Sequence, residues 1–131
     1  MRRSHLLPLF LLIGCADSPT QIASNLAGTW SQEESNAHLY MSITLAPKGS
    51  RLTGIGTFAW EAGLGGPMEV SGEVTGSQVA LAFTMHSQFT DHTVTSVQHF
   101  VGDLRRDELW GVIQSGDPPS GRAVAVRFIR R

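Results

Sequence analysis

Apolar and polar residues alternate along most of the chain after residue 25. Successive side chains of an extended strand point to opposite faces, so this pattern predicts β-strands with one apolar face. A typical stretch reads Val79-Ala-Leu-Ala-Phe-Thr-Met85, and no stretch has a sustained helical period. We predict eight strands, which start near Leu26, Leu39, Leu52, Met68, Val79, Thr93, Glu108 and Val124.

A repeated pattern identifies two hairpins. The motif Val70-x-Gly72-x-Val74-x₄-Val79-x-Leu81-x-Phe83 recurs thirty residues later as Phe100-x-Gly102-x-Leu104-x₄-Leu109-x-Gly111-x-Ile113. The connectors, centred on Gly76-Ser77 and Arg106-Asp107, suit tight two-residue turns. A similar hairpin crosses a longer loop at 46–50. Eight strands, each joined to the next by a short connection, predict an all-β fold, a closed antiparallel up-and-down barrel, because closure removes the free sheet edges.

Glycine fits this interpretation. The chain has 14 glycines, and several fall on the predicted inner face, where a missing side chain permits the strong coiling of a small barrel. These inner positions are Gly28, Gly54, Gly56, Gly72, Gly102 and Gly111.

The first fifteen residues have a different character. Arg2 and Arg3 precede an apolar run, Leu6 to Ile13, which is too short to cross a bilayer that needs about 20 residues. This is the layout of a signal peptide. The run ends Leu12-Ile13-Gly14-Cys15, which resembles the lipobox of bacterial lipoproteins. That resemblance implies cleavage before Cys15 and acylation of its thiol and new amine.

Three segments follow from this resemblance: a signal peptide at 1–14, a lipidated Cys15 with a polar tether at 15–25, and a barrel domain at 26–131. Ala16 stands where a retention Asp would stand, so the resemblance implies a lipid anchor in the outer membrane of the cell envelope. The alternative is ordinary secretion with cleavage after Ala16, which would give a soluble periplasmic or secreted protein.

The first predicted strand carries a second resemblance. Asn25-Leu26-Ala27-Gly28-Thr29-Trp30 resembles the Gly-x-Trp strand of lipocalins and the Gly-Thr-Trp opening of avidins, both eight-stranded calycin barrels. In lipocalins a basic residue of the last strand packs over that Trp, which implies Arg127 or Arg130 here. We take Gly28, Trp30 and Arg127 as the barrel-closing set. Biotin binding is not implied, because the middle strands lack the tryptophans of avidins.

Loop lengths predict a mouth. Every second loop of a meander lies at the same end, and the four loops of one set (31–37, 61–67, 86–92 and 115–121) are each about seven residues long. Apolar walls with a few polar groups are typical of a small-molecule pocket. The alternative is a solid core whose polar members meet water at the rim. The inward residues predicted to contact a ligand there are Trp60, Met68, Met85, Ser96 and Gln98.

Charge and placement exclude several functions. Without residues 1–14 the chain keeps eight Lys/Arg against eleven Asp/Glu, which is no basis for nucleic-acid binding. Each carboxylate falls in a loop, a turn or the outward face, so we expect no catalytic pair and no enzyme. His86, Asp91 and His92 share a predicted loop, but their spacing matches no metal-ligand pattern, so we expect no metal or cofactor.

Two functional hypotheses remain. One is an envelope lipoprotein that carries a small apolar ligand in its barrel. The other is a structural or interaction lipoprotein with a filled barrel, which binds an envelope protein through its loops or outer face. Trp110, Val112, Val97 and Val101 form an outward apolar patch that favours the second hypothesis.

Overall fold

The computed structural model describes residues 17–35, 38–61 and 63–131. The predicted signal peptide and Cys15 lie outside these residues. The described chain has one short helix and eight strands: α1 (Pro19–Asn25), β1 (Gly28–Ser35), β2 (Leu39–Lys48), β3 (Arg51–Trp60), β4 (Gly65–Thr75), β5 (Gln78–Gln88), β6 (Thr93–Arg105), β7 (Glu108–Ser115) and β8 (Val124–Arg130).

The strands form a closed antiparallel barrel in chain order, in which β1 also pairs with β8. The predicted fold class is therefore confirmed. The repeat marked its two hairpins correctly, since Val74 pairs with Val79 and Leu104 with Leu109 across the predicted turns. The loop predicted at 46–50 is wrong: β2 continues to Lys48, which pairs with Arg51 across another two-residue turn.

The tether predicted at 15–25 is wrong for its second half, which is the helix α1. The Ser18 side chain caps it by accepting a hydrogen bond from the Gln21 amide at 3.1 Å, and Pro19 fits its first turn. Seven residues are too few for a helix stable in isolation, or for a readable helical period. Packing stabilises it instead, because Ile22 and Ala23 are buried against the barrel.

Helix α1 contacts β2, β3 and β4 and precedes β1 directly, at the same end as the three two-residue turns. We call this the closed end. The strand ends joined by the longer connections, from β1 to β2, β3 to β4, β5 to β6 and β7 to β8, lie at the other end, the open end. Among the described residues, no helix has the length and apolar character needed to cross a membrane.

The barrel interior is packed with large apolar side chains from all its strands. Phe128 lies with its ring centre 6.1 Å from that of Phe83 and 5.8 Å from that of Phe100. All three rings are fully buried, as is Trp30 nearer the closed end. The lower and middle interior is therefore a solid core.

Candidate functional site

The predicted barrel-closing set lies at the closed end, except that the arginine over the tryptophan is Arg130 and not Arg127. Trp30 is fully buried and its indole Nε1 donates to the Leu26 carbonyl at 2.9 Å. The guanidinium over its ring belongs to Arg130, at 4.3 Å from the ring centre. Gly28 has φ +122°, a conformation that strongly favours glycine, and its Cα faces the same guanidinium.

The prediction that Arg127 covers Trp30 is wrong. Residues of a strand alternate between its faces, and Arg127 lies between the buried Val126 and Phe128, so it points outward. Its guanidinium stacks instead on Trp110, 5.2 Å from the ring centre. Arg130 is in phase with the two buried residues and therefore reaches the tryptophan at the base of the barrel.

Trp110 is the centre of an outer patch formed with Val101 and Val112. These side chains are 37%, 40% and 42% exposed, and Val101 pairs directly with Val112. Val97, predicted as a member of this patch, is half-buried and lies four residues before Val101 in β6. Arg105 flanks Trp110 at 5.4 Å. A hydrogen bond from its side chain to Asp103, and the charge of that carboxylate, raise the pKa of Arg105. Its guanidinium, which is cationic with or without this shift, lies beside the ring.

The predicted ligand residues occupy the open half of the barrel but differ in exposure. Met68, Met85 and Ser96 lie in one row across β4, β5 and β6, and the two methionines are buried while Ser96 is exposed. Gln98 is buried in the adjacent row. Trp60 is half-buried and pairs with Leu39, so it lies away from the other four.

An opening in the wall explains why Ser96 is exposed. Residue Val94 pairs with Ser87, and Ser96 with Met85, so both should face the interior. Yet Val94 is 43% exposed, because β7 ends at Ser115 and no described strand lies beside residues 93–97 on that side. We call this gap the side opening.

The base of the side opening is polar. The Ser115 hydroxyl donates to Gln98 Oε1 at 3.0 Å, and the two residues pair across β6 and β7. Sequence reasoning missed Ser115 and the buried Ser87, since both were assigned to loops. The alternation that places Met85 inward extends two residues to Ser87, so the signal was present. The residues that line the opening are Met85, Ser87, Val94, Ser96, Gln98 and Ser115.

The connection from β7 to β8 leaves this opening uncovered. Its Gly116 amide donates to the Val97 carbonyl at 2.9 Å, and Asp117 approaches His99 on the outer face of β6 at 3.5 Å. Gln114 Nε2 donates to the Gly121 carbonyl and holds the far end of the loop. The loop therefore lies along the outside of the barrel wall.

Each described histidine contacts a carboxylate. His86 lies in β5, not in the loop predicted for it, and its Nε2 is 2.9 Å from Glu69 on β4. His92 contacts its neighbour Asp91 at 2.5 Å. His38 contacts Glu61 and His99 contacts Asp117. In the part of the chain that the structure describes, no three such side chains gather as metal ligands.

The fold and these contacts define a class: a small closed antiparallel β-barrel with a short helix packed at one end and the start of β6 unpaired on the side of β7. Comparison with family models, with curated proteins and with solved structures found no match to this chain. The likeness to lipocalins and avidins therefore rests on the first strand, the Trp–Arg contact and the strand order.

Proposed function

We propose that this chain is a lipid-anchored protein of the cell envelope whose barrel binds a small ligand at the side opening. One observation carries the ligand-binding part: Val94 and Ser96 face inward by register yet reach solvent, directly above the buried Gln98. A ligand entering there would meet both an apolar wall and hydrogen-bonding groups, the usual composition of a small-molecule site.

Packing limits the size and position of the ligand. The rings of Phe83, Phe100 and Phe128 fill the interior below the opening, and α1 covers the closed end. A long acyl chain lying along the barrel axis has no space in this core. The ligand is therefore small and lies in the upper third of the barrel, against Met85 and Val94.

The lining residues also limit its chemistry. None of the six side chains at the side opening is ionisable, while an amide and three hydroxyls are present. Burying a charge without a partner is costly, so these groups favour an uncharged molecule with an apolar part and hydroxyl or carbonyl groups. We assign the site no catalytic step, because none of its six lining side chains is an acid, a base or an activated nucleophile.

A matched pair of variants tests ligand binding. Ser96→Val removes a hydroxyl from the opening, and Thr93→Val changes the outward face of the same strand three residues away. Native mass spectrometry of protein purified from envelopes should show a bound mass in wild type and Thr93→Val, and less in Ser96→Val. Solvent extraction should lower the melting temperature. Identical masses and melting temperatures before and after extraction would contradict the proposal.

The anchor is tested separately, at Cys15. With the wild-type residue, we expect palmitate to label the protein and the signal peptide to be removed. Cys15→Ser should abolish labelling and leave an uncut precursor, because acylation needs the thiol. A soluble product beginning at Asp17 in both proteins would instead support ordinary secretion.

A second function is favoured by the outer patch. Tryptophan and arginine are enriched among residues that dominate protein interfaces, and here Trp110 is flanked by Arg105 and Arg127 beside two exposed valines. In this proposal the filled barrel docks an envelope protein through its outer face. A photo-crosslinker placed at Val112 tests this second function in intact cells, with one placed at Ile55 as the control. Capture of no protein at either position would count against this function.

A further inference from the structure

We propose that the closed end of the barrel rests on an anionic bilayer, with the cations of its turns against lipid phosphates and the side opening held away from the membrane. This inference rests on the acylation of Cys15 in the proposed function. It adds a membrane-contact surface and a direction in which the ligand site faces.

The chain between the anchor and the barrel is very short. Three residues, Ala16, Asp17 and Ser18, separate Cys15 from the first helical residue, Pro19. Four Cα–Cα steps span at most about 14 Å. Ser18 is itself fixed as the helix cap, so α1 is held next to the lipid headgroups.

The open end is farther from the anchor than this tether can reach. Strand β5 has 11 residues. At about 3.3 Å per residue and a tilt of about 40°, the barrel wall is roughly 28 Å tall. With α1 at the membrane surface, the barrel either stands on its closed end or lies on its side, and charge decides between these.

Unpaired cations are concentrated at the closed end. Within the described residues, Lys48, Arg51 and Arg106 form no ion pair with a described carboxylate, and all three flank or occupy two-residue turns. The carboxylates of Asp103, Asp107 and Glu108 are engaged by arginines there. Asp17 and Glu73 are the acidic side chains described at this end that no arginine engages, so the side chains there carry three unpaired cations against two carboxylates.

Arg106 is placed next to the anchor. A hollow of about 380 Å³ at the closed end is lined by Asp17, Asn25 and Arg106 among others, so the chain that follows Cys15 runs beside this arginine. Arg106 has φ +61°, which is uncommon for a residue with a side chain. A glycine would adopt that conformation without strain, and Gly49 and Gly76 have positive φ at the two other turns.

The open end has the opposite charge. Among the described residues of its loops, Glu61, Asp91 and Asp117 are acidic and Arg122 is the one lysine or arginine. Anionic lipids attract surface lysines and arginines and repel carboxylates. An upright barrel places the turns against phosphate and the acidic loops in water, whereas a barrel on its side brings some of those carboxylates toward the surface.

Fluorescence quenching on vesicles tests this orientation. The full acylated protein is inserted into vesicles of phosphatidylcholine and phosphatidylglycerol that carry a headgroup nitroxide. An introduced cysteine at Ser77, in a closed-end turn, or at Thr90, in an open-end loop, takes the fluorophore, because Cys15 is blocked by its lipid. We expect strong quenching at position 77 and none at position 90.

Charge variants test the headgroup contact. Lys48→Gln and Arg106→Gln should each lower the ratio of docked to undocked barrel about fivefold in anionic vesicles. Arg122→Gln, an unpaired cation at the open end, should leave it unchanged. Equal quenching at both label positions would overturn the orientation, and quenching at position 77 that is insensitive to the closed-end substitutions would overturn the lipid contact.

Measurement of the intact mass separates this proposal from the acylation of Cys15 on which it rests. An unmodified Cys15 would overturn the anchor and the orientation together. An acylated Cys15 with a label at position 90 that is quenched as strongly as one at position 77 would overturn the orientation alone.

Discussion

Arg130 joins three parts of the molecule at the closed end. Its guanidinium stacks on Trp30 and donates to the carbonyls of Asn25 at 2.6 Å and Ala27 at 2.9 Å, which end the helix segment. Its Nε donates to Asp107 in the turn between β6 and β7 at 3.0 Å. One side chain thus holds α1, β1 and a turn in place, and the planar fork of arginine makes this geometry possible.

The two arginines of β8 therefore differ in their contribution to stability. Arg130→Ala should lower the free energy of unfolding by about 1 to 2 kcal/mol, because it removes two hydrogen bonds to backbone carbonyls, the bond to Asp107 and the stacking on Trp30. Arg127→Ala should cost less than about 1 kcal/mol, because its described contacts are the stacking on Trp110 at 5.2 Å and an ion pair with Glu108 at 3.8 Å. Urea denaturation of both variants measures this. Equal losses of unfolding free energy in the two variants would show that the contact of Arg130 with Trp30 adds no stability beyond that of an exposed arginine.

Sequence reasoning found the partner of Trp30 as a pair of alternatives and then favoured the wrong one. The information that separates them is local, because Val126, Phe128 and Arg130 share one phase of the strand and Arg127 has the other. The hydrogen bonds of Arg130 to Asn25 and Ala27 were not predictable in this way. They depend on a helix that the sequence pattern did not reveal.

At the scale of elements, a pair of glycines lies at the centre of the contact between β6 and β7. Gly102 lies opposite Gly111, and the Phe100 ring covers both. A Cβ at Gly102 would overlap the Trp110 carbonyl oxygen and come within 2.6 Å of Phe100 Cζ. The glycines thus make room for a phenylalanine at the centre of the core.

Replacing either glycine should disrupt the barrel. Gly102→Ala or Gly111→Ala forces the Phe100 ring and the backbone apart, so we expect a loss of about 3 kcal/mol or more in unfolding free energy. Val101→Ala, on the outer face of β6, should cost less than about 1 kcal/mol. Thermal unfolding followed by near-ultraviolet circular dichroism gives both values, and a Gly102→Ala protein as stable as Val101→Ala would disprove the packing argument.

The strands and the helix differ in how well the sequence predicts them. The strands were predictable because alternation over five to ten residues is a strong signal, and the repeat added the turns. Helix α1 was not, since Ile22, Ala23 and Leu26 supply one buried turn within an otherwise polar segment. Its stability comes from the barrel beneath it, and a local pattern cannot show tertiary contact.

At the scale of the molecule, the start of β6 lacks a partner strand on one side, because its pairing with β7 begins at Gln98. The Val97 carbonyl points away from β5, so the backbone groups of Thr93 and Thr95, which share its phase, point the same way. No described strand receives them. Their amides should exchange with solvent much faster than those of Leu81 and Phe83 in β5, as hydrogen exchange followed by NMR would measure.

Protection of Thr95 equal to that of Phe83 would contradict the side opening, because it would require a partner strand at that edge. Loss of exchange at Thr95 when a ligand is added would place the ligand in the opening. The overall topology was predictable from strand count and loop lengths, but this gap was not. It arises because β7 ends at Ser115 while β6 begins at Thr93, a mismatch that appears once register is known.

The pairing of β1 with β8 also decides when folding can finish. Trp30 and Arg130 are neighbours in the sheet but stand a hundred residues apart in the chain. Every other pairing joins consecutive strands and can form as soon as its hairpin emerges. Until β8 is in place, the other seven strands can form only a curved, open meander in which Trp30 lacks its partner Arg130. Pairing of β8 with β1 turns that meander into a cylinder, and long-range closures of this kind are slow steps.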